Sequence, residues 1–114
     1  MPTCLVVLVL LLCCVPVSSA GASTLHASRS CGHVYASGER FRVSIKRGRV
    51  TCHTARKVLR RFLSGHGKQH GDGTTANTYW QLGHWRCAHG AGGGGCIRHG
   101  HNYKSARDFI SAQI

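Results

Sequence analysis

Residues 51–65 read TCHTARKVLRRFLSG, and the fold turns on this stretch. Cys52, Ala55, Val58, Leu59, Phe62 and Leu63 recur at three- and four-residue intervals, the spacing of one helical stripe. Arg56, Lys57, Arg60 and Arg61 fall on the opposite side. Thr51 stands where an N-cap belongs, and Gly65 stands where a C-terminal cap belongs. No Glu or Gln occupies the third helical position, so a reciprocal capping box is absent. A helix with a single apolar stripe needs one flat surface to cover it, which a small sheet provides.

The flanking segments supply that sheet. Phe41-Arg42-Val43-Ser44-Ile45 alternates apolar and polar, the period of a half-buried strand. Ser37-Gly38-Glu39 before it is a turn signal, and Cys31–Ala36 contains a brief apolar piece, Val34-Tyr35. Residues 22–30 read as a flexible polar lead-in, and Lys46-Arg47-Gly48-Arg49 ends the strand with charge and glycine. After the helix, SGHGKQHGDGTTAN (64–77) has almost nothing to bury, and 66–78 are expected to be a flexible loop. Tyr79–Leu82 and His84–Cys87 read as short aromatic strands and Gly90–Gly95 as a flexible connection. Cys96–His99 reads as a further strand, Gly100–Asn102 as a turn, and Ala106–Ala112 as a closing strand or short helix. The predicted architecture is α+β, with one helix packed on a small antiparallel sheet and disulfides stapling it.

The start of the chain has a different character. Cys4–Val17 is CLVVLVLLLCCVPV, fourteen residues without a charge, followed by small residues at 18–22. This is the layout of a secretory signal peptide, and a bilayer-spanning helix needs roughly twenty residues. Residues 1–22 are therefore predicted to be a leader cut after Ala20 or Ala22, although Met1-Pro2-Thr3 carries no Lys or Arg. Residues 23–114 then form a single small secreted domain. Cleavage removes Cys4, Cys13 and Cys14 and leaves an even set, Cys31, Cys52, Cys87 and Cys96, suited to two disulfides in an oxidising compartment. Of the three pairings, the sequence reading favours those in which Cys52 reaches Cys87 or Cys96 and Cys31 takes the other. A Cys87–Cys96 bond would only staple a turn, and Cys31–Cys52 would join sequence neighbours.

Cys31-Gly32, Val50-Thr51-Cys52-His53-Thr54-Ala55-Arg56 opening a helix, Trp85-Arg86-Cys87, and Cys96-Ile97-Arg98-His99-Gly100 follow one another in an order covering nearly all of the body. That order resembles small secreted cysteine-patterned proteins of unknown function from high-GC Gram-positive (actinobacterial) bacteria. The resemblance implies a fold and a compartment but no activity. The long His- and Gly-rich connection between the helix and Trp85 is not expected to be typical of them.

Charge gives the functional expectation. Fifteen Lys and Arg face three Asp and Glu, and nine of the basic residues lie between Arg40 and Arg61. Arg42, Lys46, Arg47, Arg49, Arg56, Lys57, Arg60 and Arg61 are expected to form one electropositive region that binds anionic surfaces or polymers. Cell-wall polymer of the teichoic type, nucleic acid, lipid headgroups and sulfated glycans are the candidates. Tyr79, Trp80 and Trp85 could add stacking surfaces, although Trp85, beside Cys87, reads as core. The nine histidines form a second, metal-binding reading, in which His99 and His101 are weak candidates. These segments lack the carboxylate partners of a fixed site, so no metal or other cofactor is expected. Acid would charge the imidazoles and strengthen anion binding. Glu39, Asp72 and Asp108 are scattered, and no nucleophile elbow, metalloprotease motif or phosphate-cradling loop occurs. Catalysis is not expected; a ribonuclease using two histidines, or a protein-binding or inhibitor module, are the remaining alternatives. The domain is expected to be a monomer with no membrane span after cleavage.

Overall fold

The computed structural model describes residues 28–74 and 76–114. The leader read in residues 1–22 lies outside them. Seven strands and one helix follow in the order β1 (Arg29–Ala36), β2 (Glu39–Arg47), α1 (Cys52–Leu63), β3 (Lys68–His70), β4 (Tyr79–Leu82), β5 (Trp85–Gly90), β6 (Gly93–Arg98) and β7 (Asp108–Gln113). The strands form one antiparallel sheet in the order β1-β2-β7-β6-β5-β4-β3. A hairpin, β1–β2, makes one edge. The helix carries the chain over the sheet to the other edge, and a meander from β3 to β7 returns it to pair with β2.

The α+β class with one helix on an antiparallel sheet is as predicted, but the sheet is larger than the few strands expected. Ser37 and Gly38 take φ values of 51° and 79° in the β1–β2 turn, both in the left-handed region that a two-residue hairpin turn requires. The register slips between Ser30 and His33, where Gly32 has φ 74°. This bulge lets Cys31 and Val34, three residues apart, both face the helix, which a regular period of two would forbid. β1 therefore begins at Arg29, inside the segment read as a flexible lead-in. β3 likewise lies inside the segment read as a loop, and Ala106–Ala112 resolves into the strand β7.

Thr51 caps α1 as predicted: its hydroxyl accepts from the Thr54 N–H at 3.1 Å. Ala55, Leu59 and Phe62 are fully buried against Val34, Val43, Ile45, Ile110, Ala112 and Cys96. Gly93, Gly94 and Gly95, read as part of a flexible connection, are instead paired residues of β6. A Cβ on Gly94 would stand 2.8 Å from the Phe62 ring and 3.0 Å from the Ala88 carbonyl oxygen. The glycine is there because the ring occupies the space a side chain would need. Phe62 also stacks on His89, with centroids 4.4 Å apart.

The disulfides are Cys31–Cys52 and Cys87–Cys96, which corrects the pairing favoured from sequence. The reason is where the helix begins. Its axis follows β1, with Cys52 at the Cys31 end (Cα–Cα 5.1 Å) and the Leu63 carbonyl accepting from the Ser37 hydroxyl at 3.0 Å at the other. Cys96 lies three strands from β1, about 14 Å at the usual inter-strand spacing, well beyond the ~7 Å that a disulfide spans. Cys87 and Cys96 are directly opposed across β5 and β6, with Cα atoms 4.0 Å apart.

Candidate anion-binding surface

Alternation decides where each predicted cation goes. On β2, Phe41, Val43 and Ile45 are buried beneath α1, so Arg40, Arg42 and Lys46 project from the sheet face turned away from it. On α1, Ala55, Leu59 and Phe62 meet the sheet, so Lys57, Arg60 and Arg61 project to solvent on the other side of the molecule. The single region predicted between Arg40 and Arg61 is therefore two faces on opposite sides of one sheet. The two periodicities already contained this: a strand's polar side and the polar side of a helix lying on it point in opposite directions.

Two of the eight predicted residues are partly committed to structure. Arg56 Nη1 donates to the Cys31 carbonyl at 2.9 Å and ties the helix to β1. Arg47 Nη2 donates to the Tyr103 carbonyl and its guanidinium lies 5.9 Å from the Phe109 ring centroid. Arg49 is exposed in the connection between β2 and α1. Lys57, Arg60 and Arg61 are exposed along α1. His53, Arg56, Lys57 and Arg60 line a shallow depression there. A groove on the flank of the helix has His53, Lys57, Arg61 and His84 around a floor of Val58, Leu82 and Trp85.

The helix pays for this arrangement. Arg56 with Arg60, and Lys57 with Arg61, are like-charge pairs four residues apart, each unfavourable by roughly 0.2–0.5 kcal/mol. Arg60 and Arg61 recover part of this by facing the negative end of the helix dipole. Neutralisation comes from nowhere else nearby. Among the described residues, the ion pairs are Arg98 Nε to Asp108 Oδ2 at 2.8 Å and Arg107 Nη2 to the same oxygen at 3.6 Å. Asp108 is buried, Glu39 sits at the β1–β2 turn, and Asp72 is turned into its own loop.

The sheet face opposite the helix was missed from sequence as a surface in its own right. It carries Arg86, whose guanidinium lies 4.6 Å from the Tyr79 ring centroid, with His70 stacked on that ring at 5.0 Å. Two ordered turns border this part of the sheet. In one, Asp72 Oδ1 accepts from the Thr74 N–H at 2.9 Å and the Thr74 hydroxyl at 2.6 Å, and Oδ2 accepts from Asn77 Nδ2 at 3.2 Å. The Thr74 bonds chiefly hold the Asp72 carboxyl below the usual carboxylate range. In the other, Asn102 Oδ1 accepts from the Lys104 and Ser105 N–H groups, both at 2.9 Å. Tyr103 in this turn packs against Phe109 at 5.0 Å, and burial pushes its phenol above the ordinary value of 10.0.

Trp85 is in the core as predicted, with the Arg98 guanidinium 4.4 Å from its ring centroid, and Trp80 is half-buried beside Phe62. His99 and His101 are both exposed on the β6–β7 connection. No group of three or more His, Cys, Asp or Glu side chains placed to hold a metal occurs among the described residues. No described helix is long and apolar enough to cross a membrane. No family model, curated protein or solved structure matches the chain.

Proposed function

We propose that this chain is an exported, disulfide-stapled domain that binds phosphodiester-bearing polymers electrostatically, with the solvent face of α1 as its first contact. One observation carries the reading: Lys57, Arg60 and Arg61 lie together, exposed, at a cost to the helix, with no carboxylate paired to them among the described residues. Helix stability does not favour such a face. A polyanion does, because each cation that meets a phosphate releases a condensed counterion. Teichoic-type polymer, nucleic acid and lipid headgroups share this phosphodiester chemistry. Two disulfides accord with export, since they persist in oxidising compartments.

The test is a pull-down of the oxidised protein on whole bacterial cells, immobilised RNA and anionic vesicles, each across a salt series. Retention that weakens steeply with salt, and falls in Lys57→Glu/Arg60→Glu/Arg61→Glu with the fold intact, is the expected result. Arg56 is left in place because it anchors the helix to Cys31. Retention that survives both salt and charge reversal removes the proposal. The RNA recovered from the beads separates a binder, which leaves it intact, from a ribonuclease, which shortens it.

A further inference from the structure

The sheet face opposite α1 carries a recess that the helix-face reading does not use. The strand register puts Tyr79, Ala88, Gly95, Ser111 and Ser44 in one row across β4, β5, β6, β7 and β2. Small side chains beyond Tyr79 leave a trough, and Tyr103 crosses it: a Cβ on Gly95 would stand 3.5 Å from the Tyr103 ring. On the Tyr79 side of that crossing lies a cavity of about 480 Å³ with Ala88 and Ile97 in its floor and Tyr79, Arg86 and Tyr103 around it. Thr78 also lines it; this residue is only 8% exposed, and its buried hydroxyl has no hydrogen-bond partner. An apolar floor and the Tyr103 wall, with Asn77, Arg86, His101 and Asn102 supplying polar groups to the lining, in a volume between roughly 300 and 1,000 Å³ describe a small-molecule site. The Asp72 and Asn102 turns fix its two sides before any ligand arrives.

The charge around the recess selects the occupant. Arg86 lines the recess, and Arg40, Arg42 and Lys46 lie on the same face at β2, three strands from β5; none of the four is in an ion pair among the described residues. A ring bearing a phosphate satisfies both parts, stacking on the exposed Tyr103 wall, since His70 and Arg86 already cover the Tyr79 ring, while its phosphate meets a guanidinium. A duplex keeps its bases stacked inside and cannot offer one. A flat lipid surface does not enter a recess bordered by two turns. We propose that this recess takes one base of a single-stranded nucleic acid, whose phosphates run over the cations of the same face. The inference rests on the anion-binding reading above, adds the sheet face as a second contact after the solvent face of α1, and names its polymer.

Fluorescence titration of the oxidised protein with oligo(dT), with an abasic deoxyribose-phosphate chain of equal length, and with inorganic polyphosphate tests it. Oligo(dT) should bind about 5- to 150-fold more tightly than the abasic chain, the range for one stacked base. Ala88→Phe, which fills the recess, should bring oligo(dT) to the abasic level and leave the other two probes unchanged. Tyr103→Ala, which removes a wall from outside the core, should also lower the preference and carries the test if Ala88→Phe does not fold. Equal binding of oligo(dT) and the abasic chain overturns the base site while leaving the anion-binding reading intact. So does a preference that survives both substitutions. Failure to bind any of the three probes overturns both.

Discussion

Arg98→Met should be among the most damaging substitutions to a side chain that is not itself fully buried. Asp108 opens β7 with its side chain 2% exposed, and Arg98 Nε, 25% exposed, meets its Oδ2 at 2.8 Å from the neighbouring strand. Arg98 also covers Trp85, so a methionine keeps most of the apolar contact and removes the charge. What remains is a buried carboxylate facing Arg107 alone, at 3.6 Å from a side chain 68% exposed and therefore weakly held. Removing one partner of a buried pair costs roughly 3–5 kcal/mol. The residual Arg107 contact and the partial solvent exposure of Arg98 place this case near the lower end, about 3 kcal/mol. For a domain of this size the melting temperature should fall by about 12–24 °C. Urea unfolding at neutral pH with the disulfides intact measures the loss. Arg98→Met/Asp108→Asn, which removes the orphaned charge as well, should recover part of it, so the two substitutions should be strongly non-additive. A loss below about 1 kcal/mol, or two simply additive losses, would refute the argument that Asp108 is held inside the fold by Arg98.

Three further outcomes follow from the packing. Non-reducing peptide mapping should give Cys31–Cys52 and Cys87–Cys96, and replacing each pair with serine should cost about 3.3 and about 2.6 kcal/mol respectively from loop closure alone, since the bonds span 21 and 9 residues. Gly94→Val should destabilise by about 1–3 kcal/mol, measured by denaturant unfolding, because the Phe62 ring and the Ala88 carbonyl leave no room for a side chain. The Asp72 carboxyl is depressed in the folded state, so its bonds to Thr74 are complete above the ordinary carboxylate range and are lost as pH falls through the lowered folded value. The Thr74 amide resonance should move in acid, and Asp72→Asn should abolish that movement.

Local pattern carried the elements with strong signals. The stripe of α1, its Thr51 cap, the alternation of β2 and the turn at Ser37-Gly38 were all legible because each depends on residues within a few positions of one another. β3 was not, because Lys68-Gln69-His70 has no apolar side chain to bury and owes its strand conformation to pairing with Tyr79–Gln81. Gly93–Gly95 read as flexible because glycine disfavours strands, yet Phe62 and Phe109 fill the space above and below them. The disulfide pairing depends on the direction of the helix along β1, which loop length does not reveal. The candidate surface was half legible. Composition gave the cations, but whether Arg42 and Lys57 share a face depends on the layer order of the fold. The recess beside Tyr103 depends on a row of residues from five separate strands that no sequence window contains.

The most direct test of the central claim is the salt dependence of affinity for a single-stranded polyanion. Each phosphate neutralised on a single strand contributes a slope of about −0.7 to the plot of log K against log salt. The protein should give a linear plot, and Lys57→Glu/Arg60→Glu/Arg61→Glu should make its slope shallower by at least about 2, with an unchanged circular dichroism spectrum. A flat plot, or the same slope in the folded variant, would contradict binding through the cationic face of α1.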